Sequence, residues 1–68
     1  MKPKNKKITE KIFNDLSYIP KPIAQIAKEI GVGYRTAESH LEDLMKSNRI
    51  KEVIISRVRT YYIPVETN

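Results

Sequence analysis

The hydrophobic pattern of this chain changes its period once, and that change restricts the fold more than any other feature of the sequence. Up to Met45 the apolar residues recur every three or four positions, the spacing that lines one face of an α-helix. From Ile50 onward the runs IKEVIIS and VRTYYIPV are β-branched and aromatic, which is the composition of strands. A chain of 68 residues holds only one small domain, so helices and strands must bury their apolar sides against each other. The expected fold class is mainly α with a small β-hairpin.

Two interruptions divide the helical part into three. Ile8, Ile12, Phe13, Leu16 and Ile19 predict a first helix from Ile8 to about Tyr18. Pro20 ends it, because proline cannot extend the hydrogen-bond ladder and biases the preceding residue towards extended geometry. Pro22 suits a first helical turn, and Ile23, Ile26, Ala27 and Ile30 predict a short second helix, roughly Pro22 to Ile30. Gly31 then provides a left-handed stop, and Gly31, Val32, Gly33 leave room only for a sharp corner. Ala37, Leu41, Leu44 and Met45 place the third helix from about Tyr34 to Lys46, with Ser47 and Asn48 stopping it. The hairpin takes residues 50–63, with a tight turn within Ser56 to Arg59 although that stretch lacks Gly and Asn. Val53 and Ile55 are expected to face inward across from Tyr61 and Ile63, with Tyr62 outward and Pro64 closing the second strand. Residues 1–7, carrying Lys2, Lys4, Lys6 and Lys7, read as a flexible basic tail, 8–64 as the domain and 65–68 as a C-terminal tail.

Composition removes most functional classes. The chain has 13 Lys plus Arg against 8 Asp plus Glu, one His and no Cys. Without Cys there is no disulfide framework, thiolate metal site or thiol nucleophile, which fits a reducing interior and a cytoplasmic location. No apolar run approaches the about 18 residues of a membrane span, and MKPKNKK leads into no signal-like segment, so no membrane partner is expected. His40 is the only imidazole and borders the apolar side of the third helix, a packing position rather than a catalytic or metal site. Glu42 and Asp43 are adjacent, hence about 100° apart on a helix, and do not form an acid/base pair. No catalytic residue, metal ligand or cofactor is expected, and the chain does not read as an enzyme. The net charge of +5 instead favours a polyanionic partner.

Three helices and a two-stranded hairpin, with a glycine corner between helices 2 and 3, follow the element order of a winged helix-turn-helix. The stretch PIAQIAKEIGVGYRTAESHLEDLMKSNRIKEVIISRVRTYYI, residues 22–63, resembles the compact winged-helix regulators, especially the ArsR-like and Lrp-like groups and their archaeal relatives. The likeness lies in the apolar second helix, the Gly31-Val32 corner, small Ala37, the His40-Leu41 pair and the basic hairpin with its aromatic second strand. It implies a sequence-specific, double-stranded DNA-binding transcriptional regulator, with the third helix in the major groove and the hairpin wing on the flanking backbone or minor groove. Two departures matter. Gly33 stands where the family usually has a Ser N-cap, leaving backbone donors for a phosphate. The cysteines of the metal-sensing members are missing, so metal sensing of that type is not implied.

On the third helix, Ala37, Leu41, Leu44 and Met45 share one side and Arg35, Ser39, Glu42 and Lys46 point the opposite way. A recognition helix reads bases through its first turns, which selects Tyr34, Arg35, Thr36, Glu38 and Ser39. Arg35 leads, since its fork matches guanine O6 and N7. Lys21, Lys28, Lys51, Arg57 and Arg59 are the candidates for DNA backbone and wing contacts. The bland reading of these charges is a solvated helix start for Arg35 and, for the hairpin, protection of a strand edge. The third helix itself carries Arg35 and Lys46 against Glu38, Glu42 and Asp43, a net of −1, so phosphate neutralisation has to come from elsewhere. That same imbalance supports an alternative, a winged-helix protein-interaction module whose acidic face, Glu38, Glu42 and Asp43, docks a basic partner. A homodimer covering two half-sites is expected, with Phe13 of the first helix as anchor, and no small-molecule effector, since only five residues follow Ile63. Nine Lys with ten Ile and no Cys suit a high-temperature or AT-rich source, consistent with an archaeal, viral or plasmid regulator.

Overall fold

The computed structural model describes residues 6–65. The expected tails at 1–5, with Lys2 and Lys4, and at 66–68 lie outside the described residues. Within them the chain forms helices α1 (Lys6–Asp15), α2 (Ile23–Ile30) and α3 (Tyr34–Lys46) and strands β1 (Lys21–Pro22), β2 (Lys51–Ile55) and β3 (Val58–Tyr62). The strands make one antiparallel sheet in the order β1-β3-β2. The architecture is thus three helices with a three-stranded antiparallel sheet, in place of the expected two-stranded hairpin alone.

β1 is the missing strand. Lys21 pairs with Tyr61 and Pro22 with Thr60, so Pro22 lies in the sheet and serves as the N-cap of α2 rather than as its first residue. A proline is tolerated there because β1 is an edge strand, where an absent N–H removes no central ladder bond.

α1 differs from its predicted span at both ends. It begins at Lys6, so Lys6 and Lys7 belong to the helix rather than to a tail, and it stops at Asp15 instead of Tyr18. The backbone groups that would carry it further have other partners. Lys21 Nζ donates to Asp15 O at 2.9 Å, Ile63 N donates to Ser17 O at 2.8 Å, and Ile19 N donates to Ser17 Oγ at 3.1 Å. Ile19, counted in the helical stripe, is exposed as a result.

The corner follows the expectation. Gly31 ends α2 at φ +83°, its N–H and that of Val32 both donating to Ala27 O at 2.9 and 3.0 Å. A side chain at Gly31 would meet nothing within 4 Å, so only the left-handed backbone calls for glycine. α3 runs over the predicted span, and Asn48 at φ +60° with Arg49 N donating to Leu44 O turns the chain out of it.

The hairpin turn is tighter than expected. Ser56 and Arg57 alone form it, at φ +51° and +66°, and Val58 and Arg59 already belong to β3. Two successive positive φ values make the primed turn that matches strand twist. With Ile55 opposite Val58, Glu52 comes opposite Tyr61 and Val53 opposite Thr60. Val53 and Ile55 therefore share the face away from Tyr61 and stay 36% and 49% exposed, overturning the inward assignment. Setting Val53 and Ile55 across from Tyr61 and Ile63 needs an odd number of turn residues; the two-residue turn sets them across from Thr60 and Val58 instead, and one step of register exchanges the two faces.

The core joins all three helices to the sheet: Ile12 and Leu16 of α1 and its exit, Ile23 and Ile26 of α2, Leu41 and Leu44 of α3, then Ile50 and Tyr61. α3 packs on both other helices, which leaves its first turns and outer face towards solvent.

Candidate functional site

α3 presents its N-terminal half as a surface. Tyr34, Arg35 and Thr36 are exposed, Glu38 and Ser39 half-buried, while Ala37 and Leu41 are fully buried beneath them. Gly33 caps this end with no side-chain hydrogen bond, so no side chain competes for the helix's first backbone donors. Arg35, Thr36 and Ser39, with His40 at the base, line an open depression of about 260 Å³. Three of the five residues assigned to base reading thus converge; Tyr34 and Glu38 are not part of the lining.

His40 is buried and shares a hydrogen bond of 2.7 Å between its Nδ1 and Thr9 Oγ1, tying α3 to α1. Among the described residues no group of three or more His, Cys, Asp or Glu is arranged to hold a metal ion.

The cations assigned to phosphate contact fall into two sets. Lys28, Lys51 and Arg57 are exposed on α2, the start of β2 and the hairpin tip. Lys21 and Arg59 are engaged within the protein. Lys21 Nζ donates to Asp15 Oδ2 at 3.1 Å and to Glu29 Oε1 at 2.8 Å. The hydrogen bond from Lys21 holds the Glu29 carboxyl at about 2, and Glu29 in turn raises the Lys21 ammonium despite some burial.

Arg59 joins three elements. Its Nη1 donates to Glu38 Oε2 on α3 at 2.8 Å and its Nε to Glu52 Oε2 on β2 at 2.7 Å. The same Glu52 oxygen accepts the Tyr61 hydroxyl at 2.9 Å. The Arg59 hydrogen bond and then that of Tyr61 lower the Glu52 carboxyl, Glu52 raises the guanidinium, and burial foremost raises the Tyr61 phenol. Arg59 thus bridges Glu38 and Glu52, one cation between two carboxylates. Sequence reasoning placed Arg59 on the wing and Glu38 on the helix without linking them; the cross-strand diagonal between Glu52 and Arg59 follows only from the two-residue turn.

Arg49 is likewise occupied, donating to Glu10 Oε1 at 3.1 Å with its guanidinium carbon 4.0 Å from the Phe13 ring centre. Phe13, the expected dimer anchor, is half-buried beneath its own chain's Arg49. No helix among the described residues is long and apolar enough to cross a membrane. No protein-family model matches the chain, and neither curated proteins nor solved structures yielded a match.

Proposed function

We propose that the chain is a double-stranded DNA-binding transcriptional regulator of the winged helix-turn-helix type. α3 enters the major groove, and the β2–β3 hairpin lies on the flanking backbone or in the minor groove. The observation that carries the reading is the convergence of Arg35, Thr36 and Ser39 on one open surface in the first turns of α3, over a helix end without a side-chain cap. Arg35 supplies a fork for guanine, Thr36 and Ser39 supply hydroxyls for bases or phosphate, and the helix N-terminus favours an anion. Lys28, Lys51 and Arg57 supply phosphate contacts on either side. Arg59 is shared between Glu38 and Glu52, a group that stays net −1, so the charge for phosphate comes from the exposed cations rather than from α3. The reading includes no catalytic step, cofactor or effector, and it includes a homodimer spanning half-sites about 34 Å apart.

The other reading, docking of a basic protein on Glu38, Glu42 and Asp43, has less support, because Glu38 already carries Arg59 and Asp43 is half-buried. Fluorescence anisotropy with a random-sequence duplex separates the two. With four to six phosphates neutralised per protomer, log K should fall against log salt at a slope of roughly −4 to −5. No binding at low salt, or binding indifferent to salt, would defeat the DNA reading.

A further inference from the structure

Arg59 lies on the proposed wing and carries the charge expected of a phosphate contact, yet two of its nitrogens bond within the protein. Nε and Nη1 go to carboxylates on two different elements, Glu52 of β2 and Glu38 of α3. The three side chains are only partly shielded, at 36%, 29% and 32% exposure for Arg59, Glu52 and Glu38. An isolated pair so exposed contributes little to stability. Here the pairs form a chain: Glu38, Arg59, Glu52, then the hydroxyl of Tyr61, whose ring is fully buried in the core. The guanidinium also lies 5.8 Å from that ring's centre. A planar fork holding two acceptors at once fixes direction as well as distance, which an ammonium cannot do.

We infer that Arg59 is a positioning residue: through Glu38 and Glu52 it sets the angle between α3 and the β2–β3 hairpin, and so the distance on DNA between the bases read by Arg35 and the backbone held by Arg57. The inference rests on the DNA reading above. It reassigns both Arg59 and Glu38 from contact with DNA to the geometry of that contact. Misplacing a reader by a fraction of an ångström weakens base hydrogen bonds but leaves the count of neutralised phosphates as it was. Preference between sequences and salt dependence therefore separate a positioning role from a contact.

The test uses the full chain, a duplex selected by it from a random pool, and a random duplex, with anisotropy titrations over a salt series. Arg59→Ala should lower the preference for the selected duplex about tenfold and leave the salt slope unchanged. Arg59→Lys, which keeps the charge and loses the fork, should show most of the same loss. Glu38→Ala should match Arg59→Ala, and the double variant should add little to either. A slope reduced by about one with Arg59→Ala, equal weakening on both duplexes, and recovery by Arg59→Lys would instead make Arg59 a phosphate contact and overturn the inference. Additive effects of Arg59→Ala and Glu38→Ala would overturn it too. Should the unaltered chain bind neither duplex, the DNA reading fails and takes the positioning role with it; binding by the unaltered chain with variants indistinguishable from it defeats the positioning role alone. Unfolding curves at the assay temperature confirm that each variant is folded, and Arg59→Lys serves if Arg59→Ala is not.

Discussion

Leu41 of α3 and Ile54 of β2 have side chains with the same number of carbons, yet the first is fully buried and the second 64% exposed. The pair stands for two regions built on different principles. The helical body, with Ile50 and Tyr61, is held by apolar packing that reaches from α1 to β3. All five residues of β2 are exposed, and the hairpin joins the body through β3, by the buried Tyr61, the pairing with β1 and the Arg59–Glu38 bond, while Thr60 Oγ1 donates to Val53 O at 2.6 Å within it. Folding stability resides in the body, and the outer hairpin is open to change without unfolding the chain.

Leu41→Ala tests this most severely. It should cost about 3 kcal/mol, measured by chemical denaturation, through lost transfer energy and a cavity among Ile12, Ile26 and Leu44. Ile54→Ala should stay within about 0.5 kcal/mol of the parent; similar losses for both would abolish the contrast. Arg35→Ala belongs to neither extreme, since its side chain is exposed. Stability should be unchanged while discrimination between a selected and a random duplex falls by about 1 to 3 kcal/mol in binding titrations. Backbone strain gives a matched pair of smaller effects. Gly31→Ala should destabilise the body by about 1 kcal/mol at φ +83°, whereas Ser56→Asn with Arg57→Gly should stabilise the hairpin by up to about 1 kcal/mol, since Asn-Gly suits two positive φ values. That double variant should also lower the salt slope of DNA binding by about one, through loss of the Arg57 charge.

Acid gives the mildest test. Glu29 in the body and Glu52 in the hairpin both have carboxyls lowered on folding, so the unfolded chain binds more protons at low pH. Their contribution is present above the ordinary carboxylate range and is lost as pH falls through it, for Glu29 between about 5 and about 2. Thermal melts across that window should show a declining melting temperature, less steep for Glu29→Gln than for the parent.

The same contrast explains what could be read from residues alone. α3 was legible to its ends because a three-and-four stripe, a glycine corner and a Ser-Asn stop agree locally. Arg35, Thr36 and Ser39 were legible for the same reason, as angular position on a helix requires no tertiary knowledge. β1 was not, since two residues have no periodicity and become a strand only by pairing with Thr60 and Tyr61. The early end of α1 depends on Lys21 and on Ile63, a residue 46 positions beyond Ser17, capturing its last groups. The hairpin register turned on a tight turn without Gly or Asn, and with it went the inward side of β2. Arg59 was assigned by charge, but its partners are 7 and 21 residues away.

The strand order β1-β3-β2 leaves β2 with one row of backbone donors and acceptors facing away from the sheet, beside Val53, Ile54 and Ile55. Such a row is a template for another strand, and two chains meeting along it could seed ordered aggregates. Lys51 opens that strand and Arg57 stands just past its end, so edge-to-edge approach of two copies brings cations together at both limits. Edge-to-edge pairing should therefore be disfavoured at low salt and favoured at about 1 M salt, where charges are screened over about 3 Å, and light scattering across a salt series would show the difference.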